Sequence, residues 1–131
     1  MKDGPITLNR AIKCYTPLYE GNKNFKASKD FFNKYNFHYE DTWSLDIEAA
    51  YYLLIRLVFL RDNHYGYPAN FYKSEGSDRT GDQKWIEILN KMIRGFYLYI
   101  TVEEWDRDKH IQKVIDKGFR YFLRYYGNLW D

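Results

Sequence analysis

An all-α fold is predicted by three observations on this chain of 131 residues. Apolar residues recur at three- and four-residue steps over three separate stretches, turn-forming residues cluster between them, and the composition supplies a large core, 45% hydrophobic and 21% aromatic. A chain this long supports one hydrophobic core without a second independent domain. The expected architecture is one domain over residues 1–131. In it, a compact bundle of three long helices (41–131) carries a short N-terminal helix and an irregular basic, aromatic arm (1–40) packed across it.

In the arm, Gly4, Pro5, Pro17 and Gly21 interrupt any long element. Ile6, Leu8, Ile12 and Leu18 suggest partial packing, and an additional short helix around Leu8 to Tyr15 stays open. A short helix is expected from Ala27 to Tyr35, with Ser28 as its cap and Phe31, Phe32 and Tyr35 docking on the helical body.

The first long helix runs from Ser44 to about Asp62, where Ile47, Ala50, Tyr51, Leu54, Leu57 and Val58 form one stripe. Leu53, Ile55, Phe59 and Leu60 widen that surface, which points to more than one packing neighbour and to the central position in the bundle. Thr42 or Ser44 can cap its start, and Asp46 and Glu48 favour the positive end of the helix dipole. Asn63, Gly66 and Pro68 end it, and the connection to Gly81 is long enough to be a contact surface. Thr80 and Gln83 have capping-box spacing before the second long helix, in which Trp85, Ile88, Leu89, Met92, Ile93, Phe96 and Ile100 share a face. Gly95 inside it costs about 1 kcal/mol relative to Ala but permits a close helix crossing. After a charged connection, capped by Asp106 or Asp108, the third helix carries Ile111, Val114, Ile115, Gly118, Phe119, Phe122, Leu123 and Tyr126. Gly127 and Asn128 stop it.

The net charge of +2 is too small to make the whole chain a nucleic-acid binder. Its distribution is uneven: residues 1–38 hold seven basic and three acidic residues, whereas the rest holds 13 and 15. No apolar run approaches the roughly 20 residues of a membrane span, and Met1 is followed by Lys2, Asp3, Gly4 and Pro5 rather than a secretory segment, so no membrane partner is expected. Cys14 stands alone, which excludes an internal disulfide and suits a reducing, cytoplasmic compartment.

Reactive constellations are sparse. His38, His64 and His110 have no metal-ligand spacing, and the pair Asp106 and His110 lacks further ligands, so neither metal nor cofactor is expected. Cys14 has no nucleophile signature, and the carboxylate pairs Glu40/Asp41, Asp46/Glu48 and Glu103/Glu104 read as helix-end charges, so no enzyme is expected. The N-terminal lysines do interleave with aromatic residues, as cations beside stacking surfaces do in single-strand binders. The same pattern suits a lysine face over buried rings, or a Tyr-rich protein interface. Lys23, Lys26, Lys29 and Tyr35, with Tyr67 and Phe71 from the long connection, are the candidate partner contacts.

The succession Asp41-Thr42-Trp43-Ser44-Leu45-Asp46, Gly66-Tyr67-Pro68, Trp85 with Ile88-Leu89 and Met92-Ile93, and terminal Leu129-Trp130-Asp131 resembles a family of small, uncharacterised bacteriophage proteins. The resemblance spans about residues 41–131 and implies a viral protein working in the host cytoplasm. Its shared motifs read as architecture: Trp43 packing near Ile47, Tyr67 and Pro68 fixing a turn, Trp130 sealing the bundle. The expected function is inhibition of a bacterial antiviral system by steric occlusion. The leading target is a ribonucleoprotein complex of the CRISPR type; a nucleic-acid-binding accessory protein and a sponge or enzyme for a signalling nucleotide are the alternatives.

Overall fold

The computed structural model describes residues 4–21, 25–68 and 81–130, and among them every regular element is helical. The order is α1 (Leu8–Lys13), α2 (Phe25–Tyr35), α3 (Leu45–Asn63), α4 (Gly81–Thr101) and α5 (Lys109–Arg124). Single 3-10 turns lie at Leu18–Gly21, Tyr39–Thr42, Glu104–Asp106 and Tyr126–Asn128. The fold is therefore all-α, as the periodicity predicts, and the open short helix near Leu8 exists as α1. Residues 69–80, with Phe71 and the Thr80 cap, lie outside the described residues, as does Lys23.

The middle position belongs to α4, not α3. It packs against α3 on one side and α5 on the other, while α3 and α5 scarcely meet. The reason is the width of the buried face. On α4 the buried residues Trp85, Leu89, Met92, Ile93, Gly95 and Phe96 spread over roughly 160° of the helix circumference. On α3 Ala50, Leu54, Leu57, Val58 and Arg61 occupy only about 100°, and Glu48 points elsewhere. Aromatic contacts close the α4–α5 side: Phe96 lies 4.9 Å from Phe119 and 5.2 Å from Phe122, ring centre to ring centre, and Trp85 meets Tyr125 edge-on.

The close crossing anticipated at Gly95 is present, and its partner is Gly118 of α5. A Cβ on Gly118 would stand 2.6 Å from the Lys91 carbonyl oxygen and 2.9 Å from the Gly95 Cα. Both neighbours are backbone, so only glycine lets the two helices approach this far.

Helix starts are set in different ways. At α5 the Asp108 carboxylate accepts from the Ile111 amide at 2.8 Å, an N-cap as predicted. At α3 neither expected side chain caps. Ser44 holds the cap position without a side-chain bond, in a backbone conformation (φ −133°, ψ 61°) away from the extended one that aims a hydroxyl into the first turn. Thr42 instead donates to the Tyr39 carbonyl at 2.8 Å. Asp46, in the first turn, accepts from the Tyr99 hydroxyl of α4, and this bond holds its carboxyl below the usual range.

Two tryptophans depart from expectation. Trp43 is 61% exposed, turned outward by the Tyr39–Thr42 turn that precedes α3, and it meets Tyr39 edge-on rather than Ile47. Trp130 is 75% exposed, and Leu129 packs against the core in its place.

The N-terminal segment is fastened to α3 by two buried charges that the periodicity does not single out. Near the end of α3, the Arg61 guanidinium donates to the Ile6 carbonyl at 2.7 Å, to Asn90 of α4 at 2.9 Å and to Asp62 at 3.0 Å. Near its start, Glu48 Oε1 accepts from the Tyr15 hydroxyl and the Leu18 amide, both at 2.8 Å. Between them Tyr51 donates to the Ile12 carbonyl. Residues 6–18 thus run antiparallel along α3, with Ile6 and Ala11 buried in the core.

Candidate binding surface

α2 begins at Phe25, which puts Ser28 inside the helix rather than at its cap. It stops before Asn36, whose positive φ of 65° is the left-handed geometry that Asn tolerates just past a helix end. That residue folds the chain back, so Phe37, His38 and Tyr39 return beneath α2. Phe31 then lies 5.4 Å from Phe37 and 5.6 Å from Tyr39, and Phe32 stacks on His38, which stacks in turn on Tyr19 at 3.9 Å. The expected docking of Phe31, Phe32 and Tyr35 on the long helices does not occur: α2 rests on the Tyr39–Thr42 turn. Its rings find partners in the returning chain, and a row of aromatic residues is left outside. Tyr35, Tyr39 and Trp43 are 49%, 53% and 61% exposed.

This row borders a groove along the outer side of α3. The groove has a volume of about 720 Å³, with Pro17, Tyr19, Phe37, Leu45 and Tyr52 among its walls. A second hollow of about 550 Å³, between Ile12 of the N-terminal segment and Phe59, continues it, and Ile55 and Arg56 line both. The Arg56 guanidinium lies over the Tyr52 ring at 3.4 Å and donates to the Tyr52 carbonyl at 3.0 Å, which places a cation where the two hollows meet. Among the described residues nothing covers the outward row Leu45, Tyr52 and Phe59; each is more than half exposed. An exposed apolar surface of this continuity marks an interaction site more often than a bare surface.

The ionisable groups at the groove are held by structural bonds. Asp41 accepts from the His38 amide at 3.2 Å, and Glu48 is taken up by Tyr15 and Leu18. Burial and the Glu48 carboxylate push the Tyr15 hydroxyl well above its usual range, so it remains a donor. Cys14 is half-buried and packs at the core's edge; burial raises its thiol. Among the described residues no group of three or more His, Cys, Asp or Glu could hold a metal ion, and no helix is long and apolar enough to cross a membrane.

Of the partner contacts expected from sequence, Lys29 and Tyr35 share α2 and are exposed, beside the aromatic row. Lys26 lies on α2, but its side chain, like Lys23 and Phe71, lies outside the described part. Tyr67 sits beyond the far end of α3, a helix roughly 27 Å long, and its ring covers Gly81 at the start of α4 so closely that a Cβ there would collide with it. The residues sequence reasoning missed are Leu45, Tyr52, Arg56 and Phe59 on the outer face of α3. Their signal is present in the excess apolar width of that helix, which points to a further neighbour without saying on which side. Compared with family models, with curated proteins and with solved structures, the chain matches none.

Proposed function

We propose that this chain works by binding a macromolecular partner and covering one of its surfaces, with α3, α4 and α5 acting as one bundle that presents the aromatic row and groove. The observation that carries the reading is the exposed row Leu45, Tyr52 and Phe59 on α3, beside exposed Tyr35, Tyr39 and Trp43, which reach the groove wall at Phe37 through ring contacts. Aromatic residues and Arg dominate interface energetics, and Arg56 stacked on Tyr52 supplies both at the centre. The resemblance to bacteriophage proteins supplies the setting: the host cytoplasm, and a protein surface of an antiviral ribonucleoprotein complex, with an RNA-guided nuclease of the CRISPR type as the leading target.

The test is co-migration with reconstituted RNA-guided nuclease complexes on size exclusion, together with a cleavage assay. The wild-type protein is expected to co-migrate and inhibit. A variant carrying Trp43→Ala and Tyr52→Ala is expected to lose about 30-fold in potency, the equivalent of one hot-spot residue. Absence of co-migration at low salt, or undiminished inhibition by the double variant, removes the reading.

A further inference from the structure

We propose that the outward face of α5, with Lys91 of α4 beside it, is a binding site for the phosphate backbone of a nucleic acid. This surface is separate from the aromatic groove. Lys109, Lys113, Lys117, Arg120 and Arg124 recur at steps of four, four, three and four, which places all five within a sector of about 80° on one helix. All five are exposed. The only carboxylate within α5, Asp116, stands at the edge of that sector, where Gln112 donates to it at 2.9 Å. The ion pairs Arg61 with Asp62 and His64 with Asp82 do not involve α5. Among the described residues none makes an ion pair with the row. At its C-terminal half Lys117, Arg120, Tyr121 and Arg124 line a hollow of about 310 Å³, and Lys91 reaches over the Tyr121 ring at 5.3 Å from the neighbouring helix.

The form of the site selects its ligand. Cations in series along roughly 22 Å of helix match a chain of phosphates rather than one mononucleotide. An anionic membrane would also attract the row, but a helix that lies on a bilayer needs its apolar face for the lipid. Here that face is spent on α4: Ile115 and Gly118 are buried, and Phe119 and Phe122 pack against Phe96. Base-specific reading is not built in either. Tyr121, the ring that lines the hollow, is half-buried with Lys91 across its face and so offers no open stacking platform. The binding expected is electrostatic and independent of sequence. The net charge of +2 hides this site, because acidic residues elsewhere offset the row.

The experiment is fluorescence anisotropy with a labelled 20-base-pair DNA duplex and a 20-nucleotide RNA, from 50 to 300 mM salt. Vesicles containing phosphatidylserine form a third arm. Six contacts, from Lys91, Lys109, Lys113, Lys117, Arg120 and Arg124, predict a slope of log affinity against log salt of about −5 on the duplex. The variant Lys117→Gln, Arg120→Gln, Arg124→Gln is expected to flatten the slope by roughly 3 and Lys117→Gln alone by roughly 1, with the circular-dichroism spectrum unchanged. Lys29→Gln with Lys34→Gln on α2 is expected to leave it unaltered. No binding to either nucleic acid at 50 mM salt, an unchanged slope in the single and triple variants, a loss confined to the α2 variant, or binding to vesicles alone would each overturn the assignment.

Discussion

Arg61 joins the N-terminal segment, α3 and α4 through one side chain. Its guanidinium satisfies a carbonyl of the N-terminal segment, a side chain of α4 and its own neighbour Asp62, and no buried side-chain polar atom among the described residues lacks a partner. Removing it strands the Ile6 carbonyl in the core. Arg61→Ala is therefore expected to cost about 1–3 kcal/mol, read as a lower urea midpoint at constant m-value. His64 permits a pH prediction. Nδ1 faces the Arg61 carbonyl at 2.8 Å and Nε2 faces Asp82 at 2.6 Å, so both ring nitrogens meet acceptors and the imidazolium is the form that satisfies both. Burial alone lowers the affinity of this ring for a proton; the bonds to Asp82 and to backbone outweigh it, and the net shift is upward. A raised folded pKa means the contribution is complete below the unfolded value of about 6.5 and is lost as pH rises through the folded one. Thermal melts at pH 5.5 and 8.5 should show a difference that His64→Gln reduces; an equal difference in the variant would refute the assignment. Neither residue is distinguishable by pattern. Arg61 and Glu48 look like surface charges on an apolar helix, because their partners, Ile6 and Asn90 or Tyr15 and Leu18, are far away in the chain.

At the level of the helix, periodicity was a good guide and capping a partial one. Stripes of apolar residues located α3, α4 and α5, because burying one face is a local requirement written into every turn. Asp108 was legible as a cap for the same reason. Ser44 was not, since its backbone conformation is set by the aromatic turn before it. Apolar width does not rank the helices in the core, because on α3 it serves two different surfaces, one against α4 and one along the groove. Gly95 and Gly118 allow a direct test of the α4–α5 crossing. Gly118→Ala gains about 1 kcal/mol of helix propensity but forces a Cβ into the Lys91 carbonyl and the Gly95 Cα. Overpacking of this kind costs about 1–3 kcal/mol, so the net effect in urea unfolding is expected to be destabilising. A variant more stable than the wild type would show that the helices are not held at this distance.

For the whole molecule, the seat of the N-terminal segment along α3 has little signature in the sequence. Charge and aromatic content mark off residues 1–40, but the arm is fastened along α3 through Arg61, Tyr51 and Glu48 rather than merely laid across the body. The candidate surface follows from that placement, since the groove has the Pro17 and Tyr19 end of the arm as one wall and α3 as the other. Of the contacts expected from sequence, Lys29 and Tyr35 stand beside it; the outward residues of α3 were not foreseen, because a helix stripe facing solvent and one facing a neighbour have the same spacing. The Arg61 junction also sets an order on assembly. One side chain joins a segment made before α4 to Asn90, so that segment has no complete seat until α4 has left the ribosome. Segments this distant in sequence close slowly, and cooperative folding of the arm should therefore be a late event, after synthesis of the second long helix.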